Sequence, residues 1–490
     1  MQESIVIPIV GDAYKEFSTN LDAQTLINFY VMIDKDGKFP TALYPTPGLG
    51  MFSAGAAGQK SVRCLLEKNN SLYAVIDNKL YLVSRVGDRR ELGTLNTSIG
   101  RVQIIDNGYQ LEIIDGTFGY IYKYRENIDG KPTSDFSVID DENYIPPNVI
   151  TYQDGYAIYP VRGTFKFYWS NVFDFSKITA TDFNRSGTYS ENLVSIISIH
   201  EEVWIFNRAT AEIFFNSGDP DTIFKPREGL TVEYGCAAPY SVVRTQDNAL
   251  IWLALNKYGD SLVVMATGYA PQIISTPAIT ARIADFDTID DAWAFSYQKR
   301  KHIFYVLVFP SEDQTFVYDL ETTMWHEWKS QIIKDLPTGQ QKRLGRFRGN
   351  AYAFLDGLHI IGDYANGNLY YLSDDIYTEN GEEIIRERTL QHLQNKLRRT
   401  SIYNLQIDIE SGVGLDTGLG EEPQIMLQIS KDGAHTWSNE YWRTAGKIGE
   451  YRWRAKWLSL GQAYDWVFRI RVSDPVKWVI LGATADIETE

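Results

Sequence analysis

The chain is poor in cysteine, in histidine and in positive charge, and it has no long apolar run. Of its 490 residues two are cysteines, Cys64 and Cys236. They stand far apart and outside any CxxC spacing, so the expectation is buried free thiols rather than a disulfide scaffold or a zinc ribbon. The histidines, His200, His302, His326, His359, His392 and His435, form no HxH or HExxH pair, which leaves no ligand set for a metal. Lys and Arg number 47 against 63 Asp and Glu, a formal charge of −16. A protein whose task is gripping duplex DNA needs the opposite balance, because its affinity comes from cations set against phosphates. Nothing approaches the run of about eighteen apolar residues that a membrane span requires. The start, MQESIVIPIVGDAYKEF, lacks a charged segment followed by an apolar one, so a soluble chain made in a cytosol is expected.

What the chain has in quantity is aromatic side chains, 13 % of residues, with 31 Tyr and 12 Trp. Aromatics favour strands and partner surfaces, and helix-favouring runs of Ala, Leu, Glu and Lys are scarce, so the fold class is all-β. Seven segments each read as an apolar, aromatic-rich run, a short polar or Gly-bearing break and a second such run, the pattern of a β-hairpin. They begin at Ser71, Tyr109, Gly155, Glu202, Ala249, His302 and His359. Their spacing, roughly 40 to 57 residues, is near the repeat of four-stranded propeller blades. About seven blades packed around an axis would bury what one blade leaves exposed. The same hairpins would also arise from a set of unrelated antiparallel sheets.

After Asp375 the pattern changes to a polar, charged stretch, then to strand-like runs that end in WVFRIRV and WVILGATADIE. The expected domains are an N-terminal extension leading into the propeller (1–50), the propeller body (51–375), a linker (376–401) and a C-terminal β-sandwich (402–490).

Short motifs add little chemistry. SKDGAHTW resembles the Asp box of sialidases at Ser430, Asp432, Thr436 and Trp437, with Ala434 where a Gly is usual. One box is a turn device, since its polar side chains bond local backbone. The acid pairs Asp140–Asp141, Asp290–Asp291 and Asp374–Asp375 are adjacent in sequence and read as solvated loops, not as acids set across a cleft. GLGMFSAGAAG (48–58) lacks the GxGxxG and GKS/GKT forms and reads as a flexible surface loop. KLRRT (396–400) reads as a solvated linker or a protein contact. Six tryptophans, Trp437, Trp442, Trp453, Trp457, Trp466 and Trp478, crowd the last ninety or so residues, enough for both a core and a protein interface.

Longer phrases carry a resemblance. NFYVMIDKDGKFPTALYPTPGL (28–49), EIFFNSGDPDTIFKPREGLTVEYGCAAPYSV (212–242), DDAWAFSYQKRKHIFYVLVFPSEDQTFVYDLETTMWHEW (290–328) and GDYANGNLYYLSDDIYTENGEEIIRER (362–388) resemble, in order, the packaged-DNA stabilisation proteins of short-tailed bacteriophages. The resemblance implies a structural protein of the virion tail with a propeller-like body, assembled in the host cytoplasm as a ring of about six copies. Implied partners are the portal and its adaptor on one side and tailspikes or fibres and the needle or distal tail proteins on the other. Genomic DNA would be retained by the closed channel and later slide through it without specific binding. The family supplies no catalytic residues, and no enzyme activity, cofactor, or catalytic, cofactor-binding or metal-binding residue is expected. A reading of another class, a glycan-binding or glycan-active tail propeller, would call for repeated Asp boxes, an Arg cluster and an acid pair; this chain has one box.

Overall fold

The computed structural model describes residues 3–15, 18–36, 39–124, 135–187, 191–220, 222–336, 339–396 and 398–489. Met1, Gly37, Lys38, Asp221 and Leu397 of the stretches quoted above, and Glu490, lie outside them. The described residues form antiparallel sheets almost throughout, with a single α-helix at Pro277–Ala284. Seven four-stranded blades follow one another around an axis. Their innermost strands are Val62–Lys68, Gln103–Asp106, Thr151–Gln153, Leu193–Ile199, Val243–Arg244, Trp293–Lys299 and Gly349–Leu355. Each hairpin expected from sequence is the second and third strand of one blade, as in Ser71–Ile76 with Lys79–Val83 and Leu358–Asp363 with Leu369–Ser373.

The core of the propeller lies between blades. Val62, Leu72 and Ala74 of blade 1 pack on Ala351, Ala353 and Ile360 of blade 7, and the opposite face of blade 1 meets blade 2 through Tyr73, Val75, Ile104 and Ile113. Such a cluster fills each of the seven joints, so every blade is apolar on both faces. That is why these strands read as near-continuous apolar runs rather than alternating ones. The helix follows blade 5. Thr276 caps it, Pro277 opens it, and Ile279 and Ile283 are buried in the joint with blade 6.

The N-terminal fifty residues do not simply lead into the propeller. Glu3–Ile7 pairs with the C-terminal strand Ile480–Thr489, and the hairpin Phe29–Ile33 with Thr41–Pro45 joins the same sheet at Leu43 and Ile480. Thr25–Ile27 inserts between two domains, parallel to Met324–Glu327 of blade 6 and antiparallel to Arg386–Thr389. The glycine-rich Gly48–Ser53 is a strand, not a surface loop. It pairs with Leu369–Ser373 and supplies the outermost strand of blade 7, which closes the ring. Its glycines serve close approach, since a Cβ at Gly48 would strike the Ile376 carbonyl and one at Gly50 the Tyr371 ring.

The stretch expected as a linker, 376–401, is likewise built in. It holds the strands Thr378–Glu379, Glu382–Glu383, Arg386–Thr389 and Leu393–Gln394, and Arg386, Glu387, Arg388 and Thr389 are all buried. Its polar composition misleads because Glu387 and Arg388 find their partners inside the fold, Glu387 against Arg471 at 2.7 Å. Arg388 donates to the backbone carbonyls of Ile9, Asp12 and Thr25 and to the Gln24 side chain. The result is one ten-stranded sheet that runs from the propeller axis through blade 6, across Thr25–Ile27 and Arg386–Thr389, into Asp465–Val472, Gln424–Ser430 and finally Tyr441–Thr444. Its outer half packs on a six-stranded sheet around Trp457, Trp466, Phe468 and Trp478 to make the sandwich.

Asn28 ties this crossing together. Buried and held at φ 55°, it donates its amide hydrogens to the carbonyls of Lys329 and Ile385, both at 2.8 Å, and accepts from the Lys329 N–H at 2.9 Å. Its backbone N–H donates to Glu327, and its carbonyl accepts from Thr46. Beside it, Arg282 of the helix forms a two-armed pair with Glu327, and Lys329 lies 3.2 Å from the same carboxylate. Burial pushes the Glu327 carboxyl up, but the Arg282 and Lys329 cations outweigh it and hold the group near 2.

Two outcomes are expected. Asn28→Ala leaves several buried backbone groups without partners and should cost roughly 3 kcal/mol in denaturant unfolding; a loss under about 1 kcal/mol would show that the tie is dispensable. Glu327→Gln leaves two cations unpaired and should cost roughly 3 kcal/mol at pH 7. Because the folded carboxyl titrates below its unfolded value of 4.5, its contribution is present above that pH and is lost as pH falls toward 2. Unfolding curves of the variant and parent should therefore converge in acid, and a gap that stays constant from pH 7 to 3 would contradict the assignment.

Candidate functional surfaces

The axis of a propeller is a natural binding site, and here it holds only a small cavity. Side chains from all seven blades, among them Leu65, Gln103, Ile150, Ile196, Tyr240, Phe295 and Tyr352, line a partly open cavity of about 250 Å³. That is below the size of an ordinary small-ligand pocket, and no duplex could thread it. At one end Arg101 lies over the Trp293 ring at 4.3 Å and donates to the Asn350 carbonyl at 2.9 Å. Burial lowers its guanidinium to about 10, so it keeps its charge at neutral pH.

The Asp box is a turn in the sandwich. Ser430 donates to the Asp432 carboxylate at 2.7 Å, the Ala434 N–H donates to the Ser430 hydroxyl, and the Thr436 N–H and hydroxyl donate to Asp432. The Thr436 bonds hold the Asp432 carboxyl down at about 2. Trp437 lies beneath the Arg469 guanidinium, 3.7 Å from ring centre. Ala434 adopts φ 69°, the left-handed region that favours glycine over alanine.

The other residues singled out in the sequence are dispersed. Asp141 accepts from the Asn143 N–H, Asp291 from the Ser311 N–H, and Asp374 lies near Lys299 and Arg300. His302 pairs with Asp319 and His392 with Asp465, each at 2.7 Å, His359 contacts the Tyr352 hydroxyl, and His435 contacts Asn20. His326 is buried, which lowers its ring to about 4. Among the described residues no group of three His, Cys, Asp or Glu side chains could hold a metal ion. Cys64 and Cys236 are free thiols, pushed up by burial to about 11 and about 12. In the basic stretch, Arg399 lies over the Tyr464 ring and Thr400 opens a strand.

The six tryptophans divide. Trp457, Trp466 and Trp478 are core, Trp437 is half-buried, and Trp442 and Trp453 are 51 % and 42 % exposed. The two exposed rings share the sandwich's outer edge with Tyr451 and Leu458, which are 76 % and 67 % exposed. Residues 441–460 also carry five Lys and Arg against one acid. Arg454 lies 3.6 Å from Asp408, and Lys447 faces Glu421 and Glu422. Among the described residues no carboxylate pairs with Arg443, Arg452 or Lys456. Sequence reasoning registered the tryptophans but not the cations between them, although YRWRAKW interleaves the two at a period of two.

The fold is a seven-bladed propeller with a small axial cavity, fused to a sandwich that exposes aromatic and cationic side chains. The chain belongs to the bacteriophage P22 Gp10 family, whose β-propeller matches residues 5–377 and whose β-sandwich matches residues 385–488. It is thereby a structural protein of a phage tail. No curated protein matches the chain. Similar solved structures include the N-terminal domain of Nup159 (9 % identity, 72 % of this chain and 99 % of that one, TM-score 0.40). Others are the computationally designed Ika8 protein (11 %, 66 % and 99 %, 0.36) and the Neurospora crassa Pan2 WD40 domain (9 %, 64 % and 89 %, 0.36).

Ala434→Gly should raise stability by about 1 kcal/mol, the size of the left-handed penalty it relieves. Equilibrium unfolding checks this, and an unchanged or lowered midpoint would mean that the turn carries no such strain.

Proposed function

We propose that this protein is the tail hub: a ring of about six copies between the portal adaptor and the distal tail, which retains packaged DNA and later serves as its exit path. The observation that carries this reading is the smallness of the axial cavity. A tail protein that DNA must pass cannot offer its own propeller as the conduit at about 250 Å³, so the passage has to lie between copies. The net charge of −16 suits a wall past which phosphates slide, because a basic wall would hold them. Extending one sheet from axis to outer edge leaves no hinge at which pressure could part the two domains. The family's role as a phage structural protein speaks for architecture over catalysis. Tailspikes, fibres or a needle would attach on the distal side, and assembly would take place in the host cytoplasm.

Cryo-electron microscopy of purified virions tests the reading. The expected outcome is a six-fold ring below the portal adaptor into which this chain builds. Density for the chain only in peripheral fibres would overturn it and would turn attention to glycan binding.

A further inference from the structure

We infer that neighbouring copies meet head to tail, with the cationic aromatic edge of one sandwich seated on the outer rim of blade 3 of the next. The inference rests on the ring reading and adds the two surfaces that close it. A ring contact between identical chains is heterologous, so one chain must carry both complementary patches.

The first patch is the edge just described. Trp442, Tyr451, Trp453 and Leu458 are exposed, and Arg443, Arg452 and Lys456 stand among them without a described carboxylate. Aromatic rings with arginine, at the end of a sheet, are the composition of a protein interface. Its cations call for an acidic partner, and outside this segment the chain is strongly acidic.

The second patch lies on blade 3, whose outermost strand is Phe183–Arg185. A groove of about 390 Å³ runs beside that strand, lined in part by Ile145, Tyr168 and Phe183 with Glu142 and Asp182. Ile145 and Phe183 are about half exposed, as are Val172 and Phe173 on the same blade. Lys166, the cation in the groove, lies 5.6 Å from the centre of the Phe183 ring. Residues 135–187 carry seven acids against four Lys and Arg, opposite in sign to 441–460.

Topology sets the two patches at opposite ends of the molecule. The sandwich is joined to blade 6 by Thr25–Ile27 and to blade 7 by Gly48–Ser53 and Thr378–Glu379. In a ring of seven, blade 3 stands three blades from each. Tyr441–Thr444 ends a path of nine strands that starts at the axis and leaves it through blade 6, a contour of about 38 Å along a twisting sheet at about 4.8 Å per step. No copy can bring its own patches together, so each must find them on its neighbours.

Carbodiimide treatment of purified virions, followed by digestion and mass spectrometry, tests this. Lys447 or Lys456 joined to Glu142 or Asp182 is expected, together with covalent multimers of the chain on denaturing gels. Links from those lysines to a different tail protein, in tails that hold several copies of this chain, would overturn the head-to-tail contact and leave the hub reading standing; tails that lack a ring of copies would overturn the hub reading itself. In a second arm, phage carrying Arg452→Glu with Lys456→Glu should lose at least ten-fold in yield of complete tails while the purified chain melts as the parent does. Adding Glu142→Lys and Asp182→Lys should restore most of that yield. A double variant that assembles normally, or a loss that the swapped charges do not mend, contradicts the proposal.

Discussion

The three-residue strand Thr25–Ile27, with Asn28 at its end, is the constraint on which the rest of the molecule depends. It fills the gap between the outer edge of blade 6 and the first strand of the sandwich. Neither edge could otherwise be satisfied, because two sheet edges facing each other across a gap leave rows of buried N–H and C=O groups unpaired. Asn28 then turns the chain out of the sheet at positive φ while bonding to Lys329 and Ile385, so one residue holds both domains and the exit to Gly48–Ser53. A larger side chain would overfill the site, and alanine would leave its partners dry and unbonded.

From this crossing follows an order of assembly. The inserted strand pairs with residues hundreds of positions away, Ile27 with Glu327 and Thr25 with Thr389, and Glu3–Ile7 pairs with the last strand of the chain. Blade joints from blade 1 to blade 6 involve neighbours in sequence and can form as the chain grows, whereas closure of blade 7, the crossing and the sandwich edge all draw on residues 1–53. Contacts of such separation carry the highest loop-closure cost. What offsets this cost is dense burial at the crossing, where Arg388 alone donates to three backbone carbonyls.

Surface chemistry follows the same division. The blades spend most of their aromatic residues on the joints between them, although Tyr109, Phe173, Phe183 and Tyr258 stay exposed, and the sandwich exposes Trp442 and Trp453 at its outer edge. Half-buried ion pairs such as Arg471 with Glu387 bind the sandwich strands to the crossing, but the cations of residues 441–460 are left largely to solvent. The result is an acidic chain, with a formal charge of −16, that carries one cationic, aromatic edge.

The sequence by itself determined the blades and most of the sandwich strands, because each hairpin's two apolar runs are local, regular and separated by turn residues. Phe468, Ile470 and Val472 face the core as their alternation requires. The Asp box was legible as a turn for the same reason, its bonds spanning four residues. Tertiary structure alone decided where residues 1–53 and 376–401 belong. Gly48–Ser53 looks like a loop until the Tyr371 ring and the Ile376 carbonyl leave room for no side chain. The charged Arg386–Thr389 looks like a solvated linker until distant carbonyls from Ile9, Asp12 and Thr25 take up its guanidinium. Local pattern records what a residue prefers beside its neighbours, and a strand shared by two domains is defined by partners hundreds of residues away.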